Sequence, residues 1–438
     1  MTERLLQFIW QFQYFNRSEL TTSEGEVLQV IHPGQYNTNQ GPDFLHARVL
    51  LGEATWVGSV ELHLKKSDWI KHRHEEDRNY GNVILHVVWE DDAAEKGNPQ
   101  LSKQKEVAVD NGSVNERSIP VLELQSRVAK TLLHRYSELM RSISFIPCEK
   151  NIHAIPDITW TGWKERLLAE RLIRKAGIAE TFLQQNKFHW EETFWWLLAR
   201  NFGMKVNADA FEAIARSIPL SLLAKHKNQI HQLEALLLGQ AGLLSQKFEG
   251  DYPNLLTREY HFLQKKYRLT PVSLPVHALR MRPGNFPAIR LAELAMLVHE
   301  SSHLFSRIIE AASATEIRKF FAITANDYWH YHYQLDKETA FRKKSVGSSM
   351  VDNLIINTVA PLLFLYGSHH KENRYRDMAL NCLMETRAEQ NQITRGFVRL
   401  EIKIGNAADS QALIELKNQY CQEKRCLDCS IGHSILKG

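Results

Sequence analysis

The stretch Trp56-Val57-Gly58-Ser59-Val60-Glu61-Leu62-His63-Leu64-Lys65 decides the reading of the N-terminal fold. Trp56, Val60, Leu62 and Leu64 point one way and Ser59, Glu61, His63 and Lys65 the other. That period of two is the signature of a β-strand. An acid, an imidazole and an amine on one face of a strand are either an ordinary solvated face or a chemical one. What surrounds the strand has to separate the two.

Working outward, residues 5–14 form a helix with Leu5, Leu6, Ile9 and Trp10 on one face. A short strand over 26–31 is broken by His32-Pro33-Gly34, and a polar loop over 37–41 leads into Pro42-Asp43. A second strand runs over 44–51 and turns at Gly52-Glu53. After the alternating strand, Ser67 is placed to cap a short helix through Trp69 and Ile70. Residues 82–89, NVILHVVW, are nearly all apolar and read as a buried central strand. Residues 90–112 are polar and charged, an exposed connection with a turn at Asp110-Asn111-Gly112.

From about Leu122 onward helical spacing dominates, as in Trp163, Leu167, Leu168, Leu172 and Ile173, and again in Phe194, Trp195, Leu197 and Leu198. The expected class is α+β. An N-terminal mixed sheet with flanking helices (1–125) precedes a large all-helical domain (126–415) and a C-terminal cysteine motif (416–438).

The order helix, strand, strand, strand, helix, strand, with Pro42-Asp43 opening the second strand and Glu61-Leu62-His63 in the third, resembles the PD-(D/E)XK nuclease core. His63 stands where that pattern has lysine. Lys65 lies on the same face one pleat further on and is the other candidate for the lysine role. The resemblance implies a metal-dependent nuclease that hydrolyses phosphodiester bonds in DNA or RNA, with Asp43 and Glu61 holding Mg²⁺ or Mn²⁺. A divalent ion on two carboxylates neutralises phosphate charge and lowers the pKa of bound water. His63 would act as a base or as a nitrogen ligand, and a nitrogen ligand shifts preference toward Mn²⁺ or Zn²⁺. His72 and His74 lie close by in a charged segment, where surface histidines are common. His86, inside the apolar strand, reads as a core histidine. Two rival readings remain: a non-catalytic nucleic-acid-binding or scaffold protein on a degenerate nuclease core, and a Zn²⁺ hydrolase of a small substrate using His63, His72 or His74.

Cys421-x4-Cys426-x2-Cys429-x3-His433 has the spacing of a closed Zn²⁺ site. The alternative is a [4Fe–4S] cluster on the three cysteines with Cys148 or Cys382 as a distant fourth. Arg280, Arg282 and Arg290 surround a Pro/Gly turn that opens a helix and are candidate substrate ligands. Trp329-His330-Tyr331-His332-Tyr333 either stacks bases or fills core.

The net charge of +4 permits a nucleic-acid partner without requiring one. No unbroken apolar run reaches the length of a membrane span. The N-terminus reads as a helix and not as an export signal, so the clustered, odd-numbered cysteines suit a reducing, cytoplasmic setting. Gly41-Pro42-Asp43-Phe44, the 58–63 motif, Ser67-Asp68-Trp69, Asn201-Phe202-Gly203, Gly239-Gln240-Ala241-Gly242, the 280–290 segment, Asp409-Ser410-Gln411-Ala412-Leu413 and the terminal cysteines together resemble the bacterial family known as domain of unknown function 2851.

Overall fold

The computed structural model describes residues 1–74, 77–92, 108–110, 113–115, 119–279, 281–301 and 303–437. Arg280, most of the charged connection over 90–112 and its Asn111-Gly112 turn lie outside the described residues. The chain is α+β and forms two compact units: Met1–Trp160 with Gln419–Gly438, and Thr161–Asn418.

The first unit opens with α1 (Glu3–Gln11), capped by the Thr2 hydroxyl, which accepts from the Leu5 amide at 3.2 Å. Strands β1 (Leu28–His32), β2 (Gln35–Tyr36), β3 (Phe44–Leu51) and β4 (Ala54–Lys65) follow. Next come the short α2 (Asp68–Lys71), a 3₁₀ turn (Arg78–Tyr80) and β5 (Val83–Glu90). Two short paired strands, β6 (Ala108–Asp110) and β7 (Ser113–Asn115), precede β8 (Val121–Glu123).

The main sheet runs β1-β3-β4-β5-β8, with β2 beside β3. β1, β3 and β4 are antiparallel neighbours, whereas β4 and β5, and β5 and β8, are parallel. Parallel pairing of β4 with β5 requires a crossover, and the segment carrying α2 and the 3₁₀ turn supplies it. At Gly58 an added Cβ would stand 2.4 Å from Ile84 Cγ2 and 2.6 Å from the Asn82 carbonyl, so only glycine lets β5 begin this close to β4.

Residues 58–63 of β4 are all buried, on both faces. The face carrying Glu61 and His63 is therefore interior, and the solvated-face reading of that strand fails. The first strand is shifted relative to expectation: it takes in His32, and Pro33-Gly34 alone ends it. Ser67 does not cap α2; its amide and hydroxyl donate to Asp92 at 3.0 and 2.8 Å. β5 is buried over its first six residues, as its composition requires.

This unit continues past residue 125 through α3 (Lys130–Arg141) and a 3₁₀ segment (Glu149–Ala154). Both pack on the terminal helix Ser430–Lys437.

The second unit is helical. Its long helix Ser348–His369 has the length and mean hydropathy to cross a membrane, but 72% of its most apolar window is buried inside the unit. The middle of that helix, Ile355–Val359, is a π-turn. Pro361 has no N–H to return to the Asn357 carbonyl, and Asn201 Nδ2 donates to it instead at 3.3 Å. Lys175 Nζ meets the neighbouring Ile356 carbonyl at 3.3 Å. Trp329 and His330 are buried, Tyr331 is exposed and His332 and Tyr333 are half-buried, so the aromatic run at 329–333 is core only at its start.

Candidate metal centre

Parallel register puts His86 of β5 beside Glu61 of β4. His63 follows on the same face of β4, and the crossover after α2 brings His72 and His74 over it. The result is one cluster. His63 Nε2 lies 3.1 Å from His72 Nδ1 and 3.3 Å from His74 Nε2. Glu61 Oε1 stands 3.6 Å from His63 Nε2 and 3.5 Å from His74 Nε2. Among the described residues, His63, His72 and His74 form the group whose ligand atoms all lie within 4.8 Å of one another.

Two physical arguments make this a candidate cation site. An imidazole nitrogen has a single in-plane position, filled by a proton or by a lone pair, so His63 Nε2 serves only one of its two nitrogen neighbours well. A cation at the centre takes all three lone pairs. Secondly, a tetrahedral Zn²⁺ with Zn–N of about 2.0–2.1 Å sets its ligand atoms roughly 3.3–3.4 Å apart. His63 lies at 3.1 and 3.3 Å from His72 and His74, and Glu61 at 3.6 and 3.5 Å from His63 and His74, and these four spacings bracket that edge.

The cluster is braced from behind. His63 Nδ1 bonds His86 Nε2 at 2.9 Å, entirely buried, which fixes the ring and leaves Nε2 facing the centre. The Asp43 amide donates to Glu61 Oε2 at 3.0 Å, so the other Glu61 oxygen is turned to the histidines. The Asp43 carboxylate accepts from Gln7 Nε2 at 2.8 Å and from the Leu62 amide at 3.1 Å. The structure thus brings Asp43 and Glu61 together, joined by the Asp43 amide and close enough for the Asp43 charge to raise Glu61. The Tyr80 ring stacks on His74 with centroids 3.9 Å apart, and Trp69 presents its edge to His63 and His74. In the loop before Asp43, Asn37 Nδ2 donates to the Pro42 carbonyl at 2.9 Å, and Gly41 takes φ +105°, which glycine alone adopts freely.

Burial sets the charges. It pushes the Glu61 carboxyl well above the usual range, and the Asp43 charge adds to the shift. Asp43 is also raised by burial, against the pull of the Leu62 amide. Burial and the surrounding imidazoles push His63 down to about 2, and burial with the charge of His72 takes His74 to about 4. Neutral imidazoles are the form that binds a metal.

Lys65 is half exposed and pairs with Glu90 at 3.9 Å, away from Glu61. At the C-terminus, His433 Nε2 meets the Tyr14 hydroxyl at 2.5 Å, and its ring lies 4.1 Å from that of Phe12. It is held by aromatic residues of the N-terminal segment. Cys148, Cys421, Cys426 and Cys429 are all buried within the same unit. Cys148 is close enough to Cys426 and Cys429 for their charges to raise its thiol, after the larger effect of burial. Cys382 belongs to the second unit.

Arg282 lines a cavity in that second unit, whereas Arg290 is buried against Glu293 at 2.7 Å and Asn285 at 2.6 Å. The sequence reading undervalued His72 and His74. Their one signal was the His-x-His spacing that follows the strand carrying His63 and the short helix after it.

Residues 3–392 match the family described as Protein of unknown function (DUF2851). No curated protein and no solved structure matches the chain.

Proposed function

The chain belongs to the DUF2851 family, and from its own site we propose that it is a metal-dependent hydrolase of phosphodiester bonds, a nuclease with a histidine-rich centre on a PD-(D/E)XK-like core. The observation that carries this is the convergence of His63, His72 and His74, whose ligand atoms all lie within 4.8 Å of one another, with Glu61 Oε1 beside His63 and His74 at 3.6 and 3.5 Å. Three nitrogens and one carboxylate oxygen favour Zn²⁺ or Mn²⁺ over Mg²⁺. When bound, such an ion supplies Lewis acidity toward a phosphoryl oxygen and acidifies water.

The protein's own groups do the rest. His86 sets the ring of His63, and Asp43 is a positioning residue that aims Glu61 through its amide. Burial keeps His63 and His74 unprotonated at neutral pH, while exposed His72 leaves one side of the cluster open to solvent.

The assignment to phosphodiesters is supported by strand order. α1, antiparallel β1, β3 and β4, a crossover, and parallel β5 give the helix, strand, strand, strand, helix, strand sequence, with Asp43 just before β3 and Glu61 in β4. The turn of Lys65 toward Glu90 favours one second reading: a protein that holds its metal and binds nucleic acid without cutting it.

A separate structural metal is the reading we propose for the cysteines, from their spacing and burial. In this reading four thiolates, Cys148, Cys421, Cys426 and Cys429, hold Zn²⁺ or, as the alternative, a [4Fe–4S] cluster. His433, whose Nε2 meets the Tyr14 hydroxyl, is the alternative fourth ligand through its Nδ1.

The test of the main proposal is metal content and cleavage measured together. Purified protein should retain a transition metal that His63→Ala loses, and labelled DNA or RNA should be cut only by the metal-loaded wild type. Equal metal content in both proteins at the histidine site would reject the assignment.

A further inference from the structure

The second unit contains a cavity of about 1190 Å³, larger than the roughly 300–1,000 Å³ of a site for one small molecule. Its charged lining is uneven. The three acids on its wall already have partners. Glu293 pairs with Arg290 at 2.7 Å, Asp352 with Arg318 at 2.6 Å, and Glu389 accepts from Gln411 at 2.7 Å. Lys344 is buried, donating to the His330 carbonyl at 2.9 Å. Four further cations, Arg282, Arg342, Lys343 and Arg387, line the cavity, are exposed, and make no ion pair among the described residues. They come from three separate segments and converge only through folding. The first turn of the helix Ser348–His369, its positive dipole end, lines the same space.

Unpaired cations gathered around one cavity repel one another and call for an anion with several charges. The walls between them mix polar Asn285, Ser349 and Asn353 with apolar Met350 and Ile356 and the ring of Tyr333. Separated cations, hydrogen-bonding side chains and an aromatic ring around a space this large suit a phosphate backbone carrying bases better than a compact inorganic anion. We propose that this cavity binds a single-stranded nucleic-acid segment through phosphate contacts from Arg282, Arg342, Lys343 and Arg387. The inference shares its substrate class with the hydrolase reading, but it does not depend on the metal centre.

The test is fluorescence anisotropy of a labelled single-stranded oligonucleotide of roughly 12 nucleotides, within usual site sizes, with the full-length chain in chelator so that nothing is cut. Each phosphate contact to a single strand contributes about −0.7 to the slope of log affinity against log salt, so four contacts give roughly −3. The variant Arg282→Ala/Arg342→Ala/Lys343→Ala/Arg387→Ala changes only exposed side chains and should keep its thermal unfolding. It should bind at least about tenfold more weakly and lose most of that slope. His63→Ala, which dismantles the metal centre, should bind like wild type. The two proposals can therefore fail independently. Unchanged affinity and slope in the quadruple variant would overturn the inference. So would absence of oligonucleotide binding by wild type, or binding of tripolyphosphate in its place.

Discussion

Replacing His86 by phenylalanine tests whether the histidine cluster is a metal centre or merely a buried polar patch. His86 is fully buried, and its Nε2 sits 2.9 Å from His63 Nδ1. Phenylalanine keeps a ring of similar size against Trp69 but removes the partner of that nitrogen. Two effects follow. A buried donor left without its acceptor costs about 1–3 kcal/mol of stability. Loss of the brace behind a metal-binding histidine costs about 10–100-fold in metal affinity, or roughly 1.4–2.8 kcal/mol. The assay is competition for Zn²⁺ between metal-free protein and a chromophoric chelator, with thermal unfolding run alongside. His86→Gln supplies the control, since its amide oxygen can still accept from His63 Nδ1, and it should recover part of the lost affinity. A His86→Phe protein that is less stable yet binds metal as tightly as wild type would refute the reasoning. His86 would then be core filling, and His63 would not need orienting.

Further outcomes follow from the same geometry. Because burial and the Asp43 charge raise the Glu61 carboxyl, Glu61 is protonated in the metal-free protein below that raised value and must lose its proton to bind metal. His63 and His74, held down to about 2 and about 4, have no proton to lose at neutral pH. Calorimetry in buffers of different ionisation heat should therefore show about one proton released near pH 7, and affinity rising with pH; in Glu61→Gln the release should vanish. Cys148→Ser should lose the soft metal, read as Zn by elemental analysis or as Fe with a visible charge-transfer band, while His433→Ala retains it. Asn201→Ala strips the donor from the Asn357 carbonyl at the π-turn and should lower stability by about 1–3 kcal/mol in denaturant unfolding, with no effect on metal binding.

Much of the first unit was legible because its strands obey simple periodicity. β3 begins and ends where the turn residues put it, and β5 is buried because it has no polar face to offer. The alternation in β4 identified which side chains share a face. It could not reveal that both faces are covered, since that depends on elements far along the chain. The site was half legible for the same reason. Glu61 and His63 announce themselves within one strand, whereas His72 and His74 become ligands only when the crossover folds back over β4. Cys148 joins the C-terminal cysteines through packing of Glu149–Ala154 on the terminal helix. The pairing of Arg290 was legible, because Glu293 stands three residues on along the same helix. Arg342, Lys343 and Arg387 lie too far from Arg282 in sequence for any local charge pattern to group them.

The central claim is tested most directly by cleavage of labelled single- and double-stranded DNA and RNA with Zn²⁺, Mn²⁺ or Mg²⁺, comparing wild type with Glu61→Ala and His63→Ala. The account expects metal-dependent cutting by wild type and its loss in both variants while they remain folded. Metal-loaded, folded wild-type protein that cuts no substrate, or variants that cut as well as wild type, would contradict it.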